Sequence, residues 1–228
     1  MSNGYMGKIL EVDLSTRSHR VVPLDPALAR KYIGGSGLAA HLLLQDAPPP
    51  PDPLGPDNPL ILMTGPLTGT VVPTSNRFAA VARSPLTGVF GESDCGGSWG
   101  GELKRAGFDG VLVRGRASSP VYLWISDGQV EVRDAGRLWG RDTWEADALV
   151  RQETDERASV AVIGPAGEAL VRYAAIMNEG REGRAAGRAG LGAVMGSKRL
   201  KAVAVRGTAA VPVADQAGLR TSVKEWSP

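Results

Sequence analysis

Arginine and glycine crowd one stretch of the chain, GREGRAAGRAGLGAVMGSK from Gly180 to Lys198, which holds almost no large apolar side chain. Glycine loses more conformational entropy on folding than any other residue, so a cluster of it needs a reason. Two are available: a turn-rich connection, or a backbone that must approach an anion closely with arginines beside it. A second glycine-rich segment, Asp94–Gly101, precedes a Lys-Arg pair just as Gly183–Gly196 does. Backbone N–H groups near a helix start stabilise an anion by roughly 0.3–1 kcal/mol per favourable interaction. Arg77, Arg184 and Arg188 add planar, forked donors suited to phosphate. The expectation is one extended polyanion cradle built from both segments.

Other chemistry is poorly supported. The single cysteine, Cys95, would need a base to act as a nucleophile, and the two histidines, His19 and His41, lie in other segments. No Ser-His-Asp set, His-x-x-Glu-His or Cys-x-x-Cys is evident, and one cysteine cannot hold an iron–sulfur cluster or a disulfide. GGSGLAA fits the permissive dinucleotide fingerprint at Gly35, Gly37 and Ala40, but a helical segment, PALARKYI, stands where a strand is required. GLGAVMGSK misses the P-loop spacing, with Gly-Ser-Lys in place of Gly-Lys-Ser/Thr. Glu92 and Asp94 could pair as carboxylates, yet solvated loop acids are the default. Trp99 alone among five tryptophans lies in the cradle segments, and core packing is its favoured role.

The elements that must position these residues are many and short. Of 228 residues, 30 are glycine and 16 proline, spread between apolar runs as turns rather than pooled as in disorder. Net charge is +2, against a general nucleic-acid binder, and no apolar run approaches a membrane span of about 20 residues. The N-terminus has no signal-peptide pattern, and a lone cysteine fits a reducing compartment, so a cytoplasmic location is expected. KILEVDLS and RVVPL form a hairpin. DPALARKYIGGSGLAAHLLLQDA is helical, with Asp25 as N-cap, Pro26 at the first position and a break at Gly34-Gly35. PPPPDPLGPDNP is a proline-rich connection. LILMTGP, RFAAVARSP and DGVLVRG are strands.

The second half repeats the order. PVYLWISDGQVEVRD is a hairpin around Asp127-Gly128, DTWEADALVRQE a helix, VAVIGPAG matches ILMTGPLTG, VRYAAIMN matches NRFAAVAR, and GLGAVMGSKRLKAVAVRG matches GGSWGGELKRAGFDGVLVRG. Gly65-Pro66 falls in step with Gly164-Pro165, Arg77 with Arg172, and Arg114-Gly115 with Arg206-Gly207. The pattern predicts a duplication over residues 5–115 and 118–207, paired about a pseudo-twofold axis, with Arg114 and Arg206 structural.

These segments, together with GYMGKILEVDLST and PVYLWISDGQVEVRDAGRLWG, resemble the N-terminal domain of the tungsten-containing aldehyde:ferredoxin oxidoreductases over residues 4–213. The resemblance implies an α+β fold, internally duplicated, with two β-sheets and short helices, as domain 1–213, followed by a truncated helical tail over 214–228. It implies a base beneath a tungsten, or molybdenum, bis-pterin whose phosphates are bridged by magnesium. By motif, Arg77 and Arg184 match arginines beside the cofactor, with Gly96 and Gly187 at backbone that approaches it; Cys95, read first as a small residue in a tight turn, is the further candidate for a cofactor contact. Asp94 and Ala185 match residues whose backbone carbonyls reach the magnesium.

Three departures accompany the resemblance. The family usually has asparagine where Asp94 stands and serine where Cys95 stands. The loop NEGREGRAAGR is slightly long. The helical domains that supply a [4Fe–4S] cluster, the substrate pocket and its acid–base residues do not follow. No catalytic residue is therefore expected here. The resemblance implies a cofactor-base subunit or fragment of an enzyme that oxidises aldehydes to carboxylic acids with ferredoxin as acceptor; the chain is expected to be inactive alone and to need a second subunit that carries those domains. The alternative is a stand-alone, non-enzymatic domain that binds a pterin, a phosphorylated ligand or a protein. An uncovered apolar face predicts a partner or a homo-oligomer.

Overall fold

Apolar residues in the central strands alternate between two buried faces rather than between core and solvent. In the computed structural model, which describes residues 3–46 and 52–226, this produces two six-stranded sheets. The first half contains β1 (Lys8–Asp13), β2 (Ser18–Pro23), α1 (Pro26–Tyr32), α2 (Gly35–Asp46), β3 (Leu60–Thr64), β4 (Phe78–Arg83), β5 (Phe90–Cys95), α3 (Trp99–Arg105) and β6 (Gly110–Arg114). The second contains β7 (Val121–Ser126), β8 (Gln129–Asp134), α4 (Thr143–Glu153), β9 (Ser159–Val162), α5 (Pro165–Glu168), β10 (Ile176–Asn178), β11 (Arg184–Ala186), α6 (Leu191–Ser197) and β12 (Leu200–Arg206), followed by α7 (Gln216–Trp226). A 3₁₀ turn spans Gly180–Glu182.

The first sheet runs β2-β1-β6-β3-β4-β5 and the second, read from its other edge, β8-β7-β12-β9-β10-β11. The two orders coincide when each element is matched to its repeat. The senses coincide as well: β1 is antiparallel to β2 and parallel to β6, as β7 is to β8 and β12. The fold is thus the duplicated two-sheet α+β architecture that the sequence implied.

The central strands contribute to two layers, because successive side chains leave opposite faces of a sheet. Leu60 and Leu62 of β3 face a central core shared with Leu123, Ile125, Val203 and Val205 of the other sheet. Ile61 and Met63 face outward against Leu38, Ala39 and Leu43 of α2. Likewise Tyr122 and Trp124 of β7 pack with Ala146 and Val150 of α4. The short helices α3 and α6 lie between the sheets, contributing Trp99, Leu103, Leu191, Val194 and Met195 to the central core. Trp99 is fully buried, donates its indole N–H to the Val203 carbonyl at 2.8 Å and packs on Phe78, which settles its role as a core residue.

Local signals hold where they were specific. Asp25 accepts the Ala27 N–H at 2.8 Å, capping α1, and the break at Gly34 separates α1 from α2. Asp127 and Gly128 both have positive φ, the geometry of a two-residue hairpin turn. The proline-rich connection lies partly outside the described residues. Arg206 is structural: it pairs with Glu102 at 2.9 Å across the two halves. Among the described residues no helix is long and apolar enough to cross a membrane.

Candidate functional site

The two sheets meet edge to edge where β5, the last strand of the first, runs beside β11, the last of the second. Neither was expected as a strand. In β5 the inward residues are Gly91, Ser93 and Cys95, all small, while Glu92 and Asp94 project to the exposed face. The small inward residues let the other half come close: the Ser93 hydroxyl accepts the Arg188 N–H at 3.0 Å, and the Ser84 hydroxyl donates to the Ala189 carbonyl at 2.8 Å.

A cleft of about 630 Å³ opens along this seam, lined by Glu92, Ser93, Asp94, Ala185, Gly187 and Arg188. A second, more apolar concavity of about 340 Å³ adjoins it and shares Asp94; Arg77, Phe78, Pro66, Leu67 and Ile33 contribute to its wall. Two residues of that wall, Ile33 and Thr74, are β-branched with φ of 65° and 61°, a conformation such residues rarely adopt. The guanidinium groups of Arg77 and Arg188 have no hydrogen-bond or ion-pair partner among the described residues. Arg184 is tied to its own loop, donating to the carbonyls of Glu182 and Gly183, and its Cδ lies 3.9 Å from the position a Cβ on Gly96 would take. Nothing else stands within 4 Å of that position, so the Gly96 backbone is open to close approach.

The structure corrects the expected cradle in two places. The helix starts are already occupied. At α3, the carboxylate of Glu179 accepts the Ser98 N–H at 2.6 Å and the Ser98 hydroxyl at 2.7 Å. At α6, the Gly192 N–H is bonded to the Ala174 carbonyl at 2.9 Å inside the core. An external anion therefore has the seam and its arginines, not the helix N-termini. Cys95 is the second correction. It has no solvent exposure, its sulfur accepts from Asn178 Nδ2 at 3.4 Å, and burial, reinforced by the Glu179 charge, pushes its thiol up to about 12. Its side chain lies in the core, and a buried thiol held so far up is poorly suited to act as a nucleophile.

Asn178 and Glu179 were not singled out in the sequence. The signal lay in the mismatch between repeats: where the first half has Arg83-Ser84, the second has Asn178-Glu179.

The electrostatics of the seam are mixed. Arg77 and Arg188 share the walls of the two concavities with the carboxylates of Glu92 and Asp94, which have no ion-pair partner among the described residues. A bare polyanion gains little against that balance, whereas a polyanion carrying a divalent cation is matched on both sides.

The sequence pattern of the aldehyde ferredoxin oxidoreductase N-terminal domain matches residues 9–207. The tungsten-containing aldehyde ferredoxin oxidoreductase of Pyrococcus furiosus is 49% identical over 97% of this chain and 36% of its own length. The protein of the same name from Thermococcus kodakarensis gives the same identity and coverage. Among solved structures, the active-site complex BamBC of benzoyl coenzyme A reductase, bound to 1,5-dienoyl-CoA, superposes with a TM-score of 0.95 at 42% identity, covering 99% of this chain and 34% of that one. The chain therefore spans about a third of the length of these relatives. On the pattern match and the identity together, it belongs to the aldehyde ferredoxin oxidoreductase family, as a member of its N-terminal domain.

Proposed function

We propose that this chain forms the phosphate-binding base for a tungsten (or molybdenum) bis-pterin in an oxidoreductase that converts aldehydes to carboxylic acids and passes electrons to ferredoxin. One observation carries the reading: Arg77, Asp94, Ala185, Gly187 and Arg188, far apart in sequence, converge on two adjoining concavities at the seam. The fit is chemical as well as positional. Unpaired arginines suit phosphate. Open backbone at Gly96 suits a flat ring system at close range. Exposed Glu92 and Asp94 call for a bridging cation, which magnesium supplies.

The bound group would contribute the two-electron redox chemistry. The chain's own residues bind and orient. Arg77 and Arg188 would hold phosphate oxygens, the carbonyls of Asp94 and Ala185 would be available to the cation, and Gly96 would leave room for the cofactor beside its backbone. We assign no acid or base for the substrate to the described residues. The substrate pocket, a [4Fe–4S] cluster and the ferredoxin contact would come from helical domains on a partner or on further chain.

The likeness to the benzoyl coenzyme A reductase complex favours a second reading, in which the same base serves a reductase of a thioester-linked ring. The two readings share the seam and differ in the domains that cover it.

The test is binding of magnesium pyrophosphate by calorimetry. Arg188→Glu weakens it at least about tenfold, while Arg137→Glu, a distant exposed arginine, leaves it unchanged. Equal affinity in both variants overturns the seam as the anion site. Native mass spectrometry of the complex from cells grown with tungstate reads the assembly. A second subunit with metal and pterin mass supports the oxidoreductase, and a bare chain removes it.

A further inference from the structure

We propose that Asn178 and Glu179, carried by the second half, are positioning residues for the anion seam: they clamp the Gly96–Ser98 turn of the first half. The inference rests on the seam being the ligand site, and it assigns a task to two residues that would touch no ligand.

Asn178 is 1% exposed and donates through Nδ2 to the Gly96 carbonyl at 3.0 Å and to Cys95 Sγ at 3.4 Å. Glu179 follows it in a left-handed conformation, φ 65° and ψ 29°, which turns its carboxylate back toward α3. There the carboxylate accepts both the N–H and the hydroxyl of Ser98, and that hydroxyl also meets the hydroxyl of Ser159. Ser98 makes no capping bond of its own to α3. The anion that the start of the helix favours is thus a side chain from 81 residues away.

Between these contacts sits Gly97, with φ 97°. A Cβ there would come within 2.6 Å of Asn178 Oδ1 and 2.7 Å of Glu179 Cγ. The turn and the clamp therefore fit only with a glycine, and each fixes the other. The clamp is also continuous with the seam. Asn178 is paired with Arg184 across β10 and β11, and Arg184 is the side chain that lies over Gly96. One dipeptide thereby sets the Gly96 carbonyl, and with it the direction of the Gly96–Gly97 backbone, relative to the arginine strand. A nonglycine residue held in the left-handed region is found where the surroundings over-determine it, often beside a functional site.

A merely structural clamp and a positioning clamp give different results. The 228-residue chain and its Glu179→Ala, Glu179→Gln and Ser98→Ala variants are compared in three measurements: thermal midpoint, magnesium pyrophosphate affinity, and hydrogen exchange of the Gly96–Ser98 amides. The expected result is faster exchange at this turn and about tenfold weaker pyrophosphate binding in Glu179→Ala. Glu179→Gln, whose amide oxygen still accepts from Ser98, recovers most of the affinity. Ser98→Ala keeps its N–H bond and shows a smaller loss. A lowered midpoint with unchanged affinity in the folded variants overturns the proposal, as does unchanged exchange in Glu179→Ala. If the parent chain itself fails to bind magnesium pyrophosphate, the seam reading falls, and with it a positioning role. Exchange then reports only whether the clamp is formed.

Discussion

Lys104 and Lys198 occupy matching places in the two halves, each beside an arginine at the end of the buried helix that precedes the last strand. Both are fully buried. Lys104 has a carboxylate: Asp109 lies 2.7 Å away and also accepts the N–H groups of Met6, Gly7 and Lys8. Lys198 has only two carbonyls, those of Pro56 and Gly115, and the position matching Asp109 is taken by Lys201, which pairs instead with Glu168. The duplication thus preserved the topology and the lysine but not the countercharge. The strand order of a sheet is fixed by many contacts at once, whereas a buried ion pair depends on a single residue and is free to diverge.

That contrast predicts unequal mutational effects. Removing Asp109 leaves Lys104 buried without its partner and orphans the backbone N–H groups that the carboxylate accepts. Asp109→Ala should cost about 3–5 kcal/mol of folding stability by urea titration. A loss below about 1 kcal/mol would show that the pairing in the first half is as dispensable as its absence is in the second.

The two helix starts give a second comparison. Gly97 and Gly190 stand just before or at the start of α3 and α6, both with positive φ. A Cβ on Gly97 meets side chains, Asn178 and Glu179, which can shift. A Cβ on Gly190 would lie 1.8 Å from the backbone carbonyl of Arg172, which is main chain and cannot swing aside as a side chain can. Gly190→Ala should therefore cost about 3 kcal/mol or more and Gly97→Ala about 2 kcal/mol. The reverse order would mean that the clamp, not the core, is the more rigid surrounding.

The legibility of the sequence divides along the same lines. Hairpins, the Asp25 cap, the break at Gly34 and the duplication itself could be read because each rests on neighbouring residues or on a repeated string. β5 could not, since its inward residues are Gly91, Ser93 and Cys95 and carry no hydrophobic period. β11 is three residues long. The glycine and arginine content of the two segments pointed to the seam, but the assignment of the helix starts to a ligand failed for a nonlocal reason. Glu179 and the Ala174 carbonyl reach them from other elements, and no spacing rule links Ser98 to Glu179. The burial of Cys95 could not be read either, because it depends on contacts from the second half, among them Asn178.

The smallest effect concerns the lysine that lacks a carboxylate. Burial pulls Lys198 down from its ordinary value to about 7, with Arg116 and Arg114 adding to the effect against the weaker pull of Asp57 and Asp13. In the unfolded chain the same amine titrates near 10.4. Between these values the unfolded state binds more protons than the folded state, so stability rises with pH, by at most about 1.4 kcal/mol per unit for one group. The useful window is about pH 7 to 8, below the value near 8.5 at which an exposed cysteine is half ionised. Lys104 and Lys201 are lowered as well, burial outweighing Asp109 and Glu168 respectively, so Lys198 is one of three buried lysines shifted in the same direction. Lys198→Met removes one of them. The substitution should change stability by no more than about 1 kcal/mol at pH 8, because a buried lysine without a carboxylate contributes little. It should also flatten the rise seen by urea titration between about pH 7 and 8. An unchanged slope would place the titration on the carboxylate-paired lysines, Lys104 or Lys201, and the missing countercharge of Lys198 would then have no effect on the pH dependence.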